Sequence, residues 1–138
     1  MENNKPSTED RAQQILRMVQ TGEFLKELRT ARGLSMKEAC EQLSLSTTYL
    51  SELERGLKTP SDLLIRELAE FYGINENIIF DKLGKVPLSV IEELKSNENL
   101  KNMIVSIRSN PKLTDERKYE IYESLYRVYR TMLGREEE

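Results

Sequence analysis

The chain of 138 residues contains no histidine and a single cysteine, Cys40. Without histidine it lacks the commonest general base and the commonest metal-ligating side chain. With one cysteine, neither an intramolecular disulfide nor a thiolate cluster for a metal can form. No apolar run approaches the roughly 18 residues of a membrane-spanning helix. The opening Met-Glu-Asn-Asn-Lys-Pro is too polar for a secretory leader, so a cytoplasmic location is expected. There is no glycine loop built to cradle phosphate and no nucleophile elbow. Together these absences argue against an enzyme, and no cofactor, metal or membrane contact is expected.

What is present is charge and helical periodicity. One third of the residues are charged, with a net charge of −3. An acidic balance argues against nucleic acid, whose phosphates normally attract a basic surface. Yet Arg29, Arg32, Lys37, Arg55 and Lys58 fall close together, which predicts local positive potential on an otherwise acidic body.

Residues 1–7 are polar and bury too little to offset the entropy of ordering, so a mobile tail is expected. Ser7 with Asp10 reads as a helix start, and Ala12, Ile15, Leu16 and Val19 predict a short amphipathic helix from about Thr8 to Gln20. Thr21 and Gly22 read as its end. Phe24, Leu25 and Leu28 supply the buried stripe of the next helix, which Gly33 closes in the left-handed conformation of a helix C-terminus. Ser35 and Ser46 can each accept from the free N–H groups of a first helical turn, which predicts two short helices joined by a three-residue turn. After a loop bracketed by Gly56 and Pro60, Ser61 and Asp62 start a helix carrying Leu64, Ile65, Leu68, Ala69 and Tyr72, ending at Gly73. Asn75 caps a fifth helix with Ile78, Ile79 and Phe80. Residues 1–21 therefore read as a polar tail with a short helix, and residues 22–84 as a five-helix, all-α domain.

Gly84 to Leu88, with Pro87, reads as a linker into a C-terminal helical region, residues 85–138. Ser89 and Glu92 have capping-box spacing, Asn97 can cap a helix through Ser109, and Thr114 caps the last and longest helix. That helix carries Ile121, Leu125, Val128 and Met132 on one stripe and Tyr119, Tyr122, Tyr126, Tyr129 and Leu133 on another. Together they cover nearly half its circumference, more than one neighbour usually buries. A tyrosine-rich face suits a wet-rimmed dimer interface, so the second stripe is the candidate interface, with ordinary core as the plain alternative.

In the second of the two short helices, Leu50, Leu53 and Leu57 lie on one side and leave Thr47, Thr48, Ser51, Glu52 and Arg55 on or near the other. A helix that enters a major groove presents small polar residues in this way. Threonine can hydrogen-bond to base edges or set its methyl against that of thymine, and a carboxylate can accept from cytosine N4. A merely solvated polar face is the plain alternative.

The run Leu-Lys-Glu-Leu-Arg-Thr-Ala-Arg-Gly-Leu-Ser at Leu25 to Ser35, Ser-Thr-Thr-Tyr-Leu-Ser-Glu-Leu-Glu-Arg-Gly at Ser46 to Gly56, and Pro60 carry a resemblance. The passage from about Phe24 to Phe80 resembles the helix-turn-helix domain of the phage repressor and Cro family, also called the Xre family. The resemblance implies a lambda-repressor-like DNA-binding domain in which Thr47, Thr48 and Glu52, with Ser51 beside them, touch bases. It implies backbone contacts from Ser46, Tyr49, Arg55 and Lys58, to which Lys37 is added. It also implies a structural ion pair between Arg29 and Glu54. Met36 stands where many relatives carry a phosphate-binding glutamine, and Ser44 replaces a frequent turn glycine. Cys40, spaced inward with Met36 and Leu43, is expected to pack. The expectation is a sequence-specific regulator of transcription on double-stranded DNA, a repressor dimerised through its C-terminal helices. The alternative is an interaction module, an antitoxin or sensor component whose C-terminal helices hold a regulatory protein partner.

Overall fold

The computed structural model describes residues 5–136, with backbone alone at 135 and 136. Among the described residues the protein is all-helical, with eight helices and no strand. It divides into two compact units, one ending at Ile91 and the other beginning at Glu92. Residues 1–4 of the expected tail lie outside the described residues.

The first helix, α1, runs unbroken from Thr8 to Ala31. Ser7 and Asp10 form the reciprocal capping box at its start, each bond 3.1 Å. The helix break expected at Thr21 and Gly22 does not occur, so the short N-terminal helix and the first domain helix are one. The Thr21 hydroxyl donates to the Arg17 carbonyl at 2.7 Å, which satisfies it within the helix. Gly22 is there for packing: a Cβ built on it would lie 2.5 Å from the Glu54 carbonyl oxygen and 2.6 Å from that of Leu53. Glycine thus lets a second helix end directly on α1. Ile15 and Leu16, expected on a buried stripe, are exposed along the N-terminal part of α1.

Helix α2 (Met36–Leu43) and α3 (Thr47–Glu54) follow, separated by Ser44, Leu45 and Ser46. The Ser35 hydroxyl accepts from the Glu38 N–H and the Ser46 hydroxyl from the Tyr49 N–H, each at 3.1 Å. Ser44 ends α2 at φ 57°, a left-handed conformation that costs a residue with a Cβ about 1–2 kcal/mol. Helix α4 (Asp62–Tyr72) is capped by Ser61 and α5 (Glu76–Lys82) by Asn75. α1 packs on α3 and α5, α2 on α3 and α4, and α4 on α5. Their shared core holds Leu25, Ala39, Cys40, Leu50, Leu53, Ile65, Leu68, Tyr72, Ile79, Phe80 and Leu83.

Leu57 is not part of that core, although its spacing suggested it: it is 59% exposed. α3 stops at Glu54, and Gly56, at φ 73° where an added Cβ would lie 2.6 Å from the Val19 Cα, turns the chain before Leu57 can return to the helix face. Nor does the Gly84 to Leu88 segment hang free. The Lys85 N–H donates to the Phe80 carbonyl at 2.9 Å, the Lys85 ammonium pairs with Asp62, and Leu88 packs against the core.

Helix α6 (Leu88–Ser96) begins one residue before Ser89, the expected cap; the Pro87 carbonyl accepts from Val90 and Ile91 instead. In the second unit, α7 (Glu98–Ser109) is capped by Asn97, whose side chain accepts from Leu100 at 3.0 Å. The last helix, α8 (Asp115–Glu136), is capped by Thr114 but is two residues shorter as described than α1, 22 against 24. Ile107 is the one buried side chain of this unit among the described residues.

Candidate nucleic-acid interface

The position of α3 is set by a buried ion pair beneath its last turn. The Arg29 guanidinium meets the Glu54 carboxylate with two parallel hydrogen bonds, at 2.8 and 2.9 Å, and the side chains are 10% and 4% exposed. A third donor of Arg29 reaches the Leu34 carbonyl at 2.9 Å. One side chain of α1 therefore fixes both the end of α3 and the entry to α2. The bidentate pairing satisfies two charges that burial would otherwise penalise. Its bonds to Glu54 hold the Arg29 pKa above the usual guanidinium range.

Cys40 and Tyr72 lie near the pair in the same core. The Cys40 thiol donates weakly to the Ser46 carbonyl at 3.5 Å, which ties α2 to the cap of α3. Burial, then the charge of Glu54, pushes its pKa up, so it stays a packed thiol. The Tyr72 phenol is buried without a hydrogen-bond partner among the described residues, and burial pushes its pKa up to about 12.

On the opposite face of α3, Thr47 and Thr48 are exposed in the first turn, directly after the Ser46 cap. Tyr49 is half-buried against the core. Ser51 and Glu52 are half-buried one turn further on, and each has an intrachain partner. The Arg55 guanidinium donates to the Ser51 hydroxyl at 3.2 Å, and the Lys58 ammonium lies 3.2 Å from the Glu52 carboxylate. Lys58 also stands 5.9 Å from the centroid of the Tyr49 ring. The acidic charge of Glu52 is thereby partly neutralised.

The positive potential is thinner than the five clustered cations suggested. Arg29 is buried in its ion pair, and Arg32 turns away to donate to the Phe71 carbonyl at 3.4 Å and to that of Tyr72, at the end of α4. Lys58 is shared with Glu52. That leaves Lys37, exposed in the first turn of α2, and Arg55, exposed just past α3, as the cations of the motif facing solvent without a carboxylate partner among the described residues. Beside Arg55 a cleft of about 390 Å³ is lined by Val19, Lys26, Met36 and Ser51 among others. Sequence reasoning missed both Gly22 and the Lys58–Glu52 contact. The first has a signal, a glycine inside an unbroken helical period, and the second crosses a helix end where no fixed spacing applies.

Two capped eight-residue helices, a three-residue turn between them and a buried brace under the second define a helix-turn-helix domain. A family model described as Helix-turn-helix matches residues 25–79. Residues 25–79 therefore form a domain of the Helix-turn-helix family, and through it the chain is similar to proteins named as transcriptional regulators. It is similar to the HTH-type transcriptional regulator DdrOP3 of Deinococcus deserti, 46% identical over 52 residues, 38% of this chain and 40% of that protein. It is similar to the uncharacterized HTH-type transcriptional regulator Rv0474 of Mycobacterium tuberculosis, 29% identical over 63 residues, 46% of this chain and 45% of that one. The likeness to the HTH-type transcriptional regulator ImmR of Bacillus subtilis is 29% over 90 residues, 57% of this chain and 71% of ImmR. The chain thus spans less than half the length of the first two.

Proposed function

We propose that the protein is a sequence-specific, double-stranded-DNA-binding transcriptional regulator that acts in the cytoplasm as a dimeric repressor. The observation that carries this reading is the pair Thr47 and Thr48, exposed on the first turn of a helix whose far end is held by the Arg29–Glu54 brace. In this reading α3 enters the major groove. Thr47, Thr48, Ser51 and Glu52 meet base edges, while Ser46, Tyr49, Arg55, Lys58 and Lys37 contact the phosphate backbone. The transcriptional role follows that of DdrOP3 and ImmR, both named as regulators.

With Lys37 and Arg55 as its chief cations, a single domain binds weakly. Linking two domains through the C-terminal helices turns two weak events into one, and sets half-sites about 34–36 Å apart or at a multiple of that. The exposed Tyr119, Tyr122, Tyr126 and Tyr129 of α8, with Leu133, supply the joining surface.

The test is selection of bound duplexes from a random pool, repeated with Thr48→Ala and Glu52→Ala, together with a salt titration of the selected site. Each variant is expected to relax the preference at one base-pair position of the half-site. Affinity is expected to fall with salt with a log–log slope near −0.9 per phosphate contact. Unchanged preferences in both variants would refute the assignment of α3 as the reader. Salt-independent binding would refute the groove model altogether.

A further inference from the structure

The tyrosine row of α8 has its own geometry. Tyr119, Tyr122, Tyr126, Tyr129 and Leu133 advance by alternating steps of three and four, the spacing of a seam between two helices. Tyr126 and Tyr129 already lie ring to ring, with centroids 6.3 Å apart. One edge of the seam carries Glu116, Glu123 and Arg130, all exposed and seven residues or about 10.5 Å apart along the axis. The other edge carries Lys118, Leu125 and Met132.

Glu123 and Arg130 differ from the charges around them. Arg117 is paired with Glu120 at 2.7 Å, and Arg127 donates to the Glu123 carbonyl and the Ser124 hydroxyl. The Lys118 ammonium donates to the Arg108 carbonyl at 3.0 Å. The carboxylate of Glu123 and the guanidinium of Arg130 have no partner among the described residues.

We infer that α8 pairs with α8 of a second copy in the antiparallel sense, Glu123 of each chain meeting the partner's Arg130. The inference rests on the dimer reading above and adds its orientation and register. When two helices pair antiparallel, like edges face each other. Glu123 then faces the partner's Arg130 and Arg130 the partner's Glu123, while Leu125 and Met132 meet reciprocally on the apolar edge. The two-fold axis passes near residues 126 and 127, with Tyr126 against the partner's Tyr129. In a parallel pair unlike edges meet. Glu123 would face the partner's Lys118, a complementary contact, but Arg130 would be desolvated against the partner's Leu125. From residue 123 to residue 132, charge and apolar surface match on both edges in the antiparallel arrangement alone. The two chains then enter the seam from opposite ends, about 35 Å apart at Asp115.

The test is sedimentation equilibrium on the full chain with Glu123→Arg, Arg130→Glu and the double variant, circular dichroism verifying helicity in each. Each single variant makes both reciprocal pairs repulsive and is expected to raise the dimer Kd roughly tenfold. The double variant is expected to return to within about threefold of the parent, and so is an equimolar mixture of the two single variants, which restores both pairs in a heterodimer. A parent dimer in which neither the double variant nor the mixture recovers would overturn the orientation and leave the dimer reading standing. A parent chain monomeric at every concentration would overturn both.

Discussion

Two tyrosines mark the contrast between the α1–α5 bundle and α8. Tyr72 is 2% exposed and Tyr126 is 57% exposed. In the bundle, five helices close their apolar stripes on one another, and the charged pair buried there, Arg29 and Glu54, is joined by two hydrogen bonds. In the second unit Ile107 is the one buried side chain among the described residues, and the apolar half of α8 meets solvent. A large apolar side chain contributes about 1.5–3 kcal/mol only when it is buried. The bundle can therefore be stable by its own packing, whereas the tyrosine face of α8 would gain stabilisation only through the association proposed above. The contrast lies in where apolar surface goes: one region closes it on itself, and the other leaves it exposed along α8.

The sharpest way to break this contrast is to remove the brace. Arg29→Ala or Glu54→Ala leaves one buried charge unpaired and is expected to cost about 3–5 kcal/mol, read as a lowered urea midpoint. Tyr126→Ala, by comparison, should leave the midpoint of the bundle unchanged and lower the dimer population. An unchanged midpoint in both brace variants would show that the pair is not desolvated. Truncation after Ser96 is expected to leave thermal unfolding of the bundle nearly intact while duplex affinity falls about 100-fold, as linked binding is lost. Equal losses in folding and binding would mean that the bundle leans on the C-terminal helices.

Smaller effects sharpen the picture within the bundle. Gly22→Ala pushes a methyl into the last turn of α3 and is expected to destabilise by about 1–3 kcal/mol, despite the helix propensity it gains. A neutral result in chemical denaturation would show that α1 and α3 can separate there. High pH tests Tyr72. The unfolded chain releases its phenolic proton near pH 10 and the bundle near 12. The buried neutral phenol therefore supports folding fully below about pH 10, and that support is lost as pH rises toward 12. Tyr72→Phe should flatten this part of the decline in urea midpoints. Ser44→Gly carries the smallest effect, a gain of up to about 1 kcal/mol from relieving the left-handed strain.

Much of this was legible before any coordinates. Ser7, Ser35, Ser46, Ser61, Asn75, Asn97 and Thr114 all cap the helices they were expected to cap, because capping is a local contest for a few N–H groups. Gly22 misled for the opposite reason: its meaning lies 32 residues away, in the carbonyl of Glu54. Leu57 misled because helical spacing was extended past the point where Gly56 turns the chain. The exposure of Thr47 and Thr48 followed from the periodicity of the leucines. The engagement of Glu52 by Lys58, and the loss of Arg32 to the end of α4, did not, since both depend on where separate segments meet.

By itself, then, the sequence determined the class of fold and the surfaces available. Helix ends, apolar stripes and the motif from Leu25 to Pro60 are properties of residues a few positions apart, governed by local hydrogen bonding and the 3.6-residue period. Only the tertiary structure decided which charges remain free, why α1 needs a glycine in its middle, and that the brace beneath α3 is bidentate and desolvated. Those depend on groups that the fold brings together, such as Arg32 and the Phe71 carbonyl, 39 residues apart, and burial changes their electrostatics in a way that no spacing along the chain encodes.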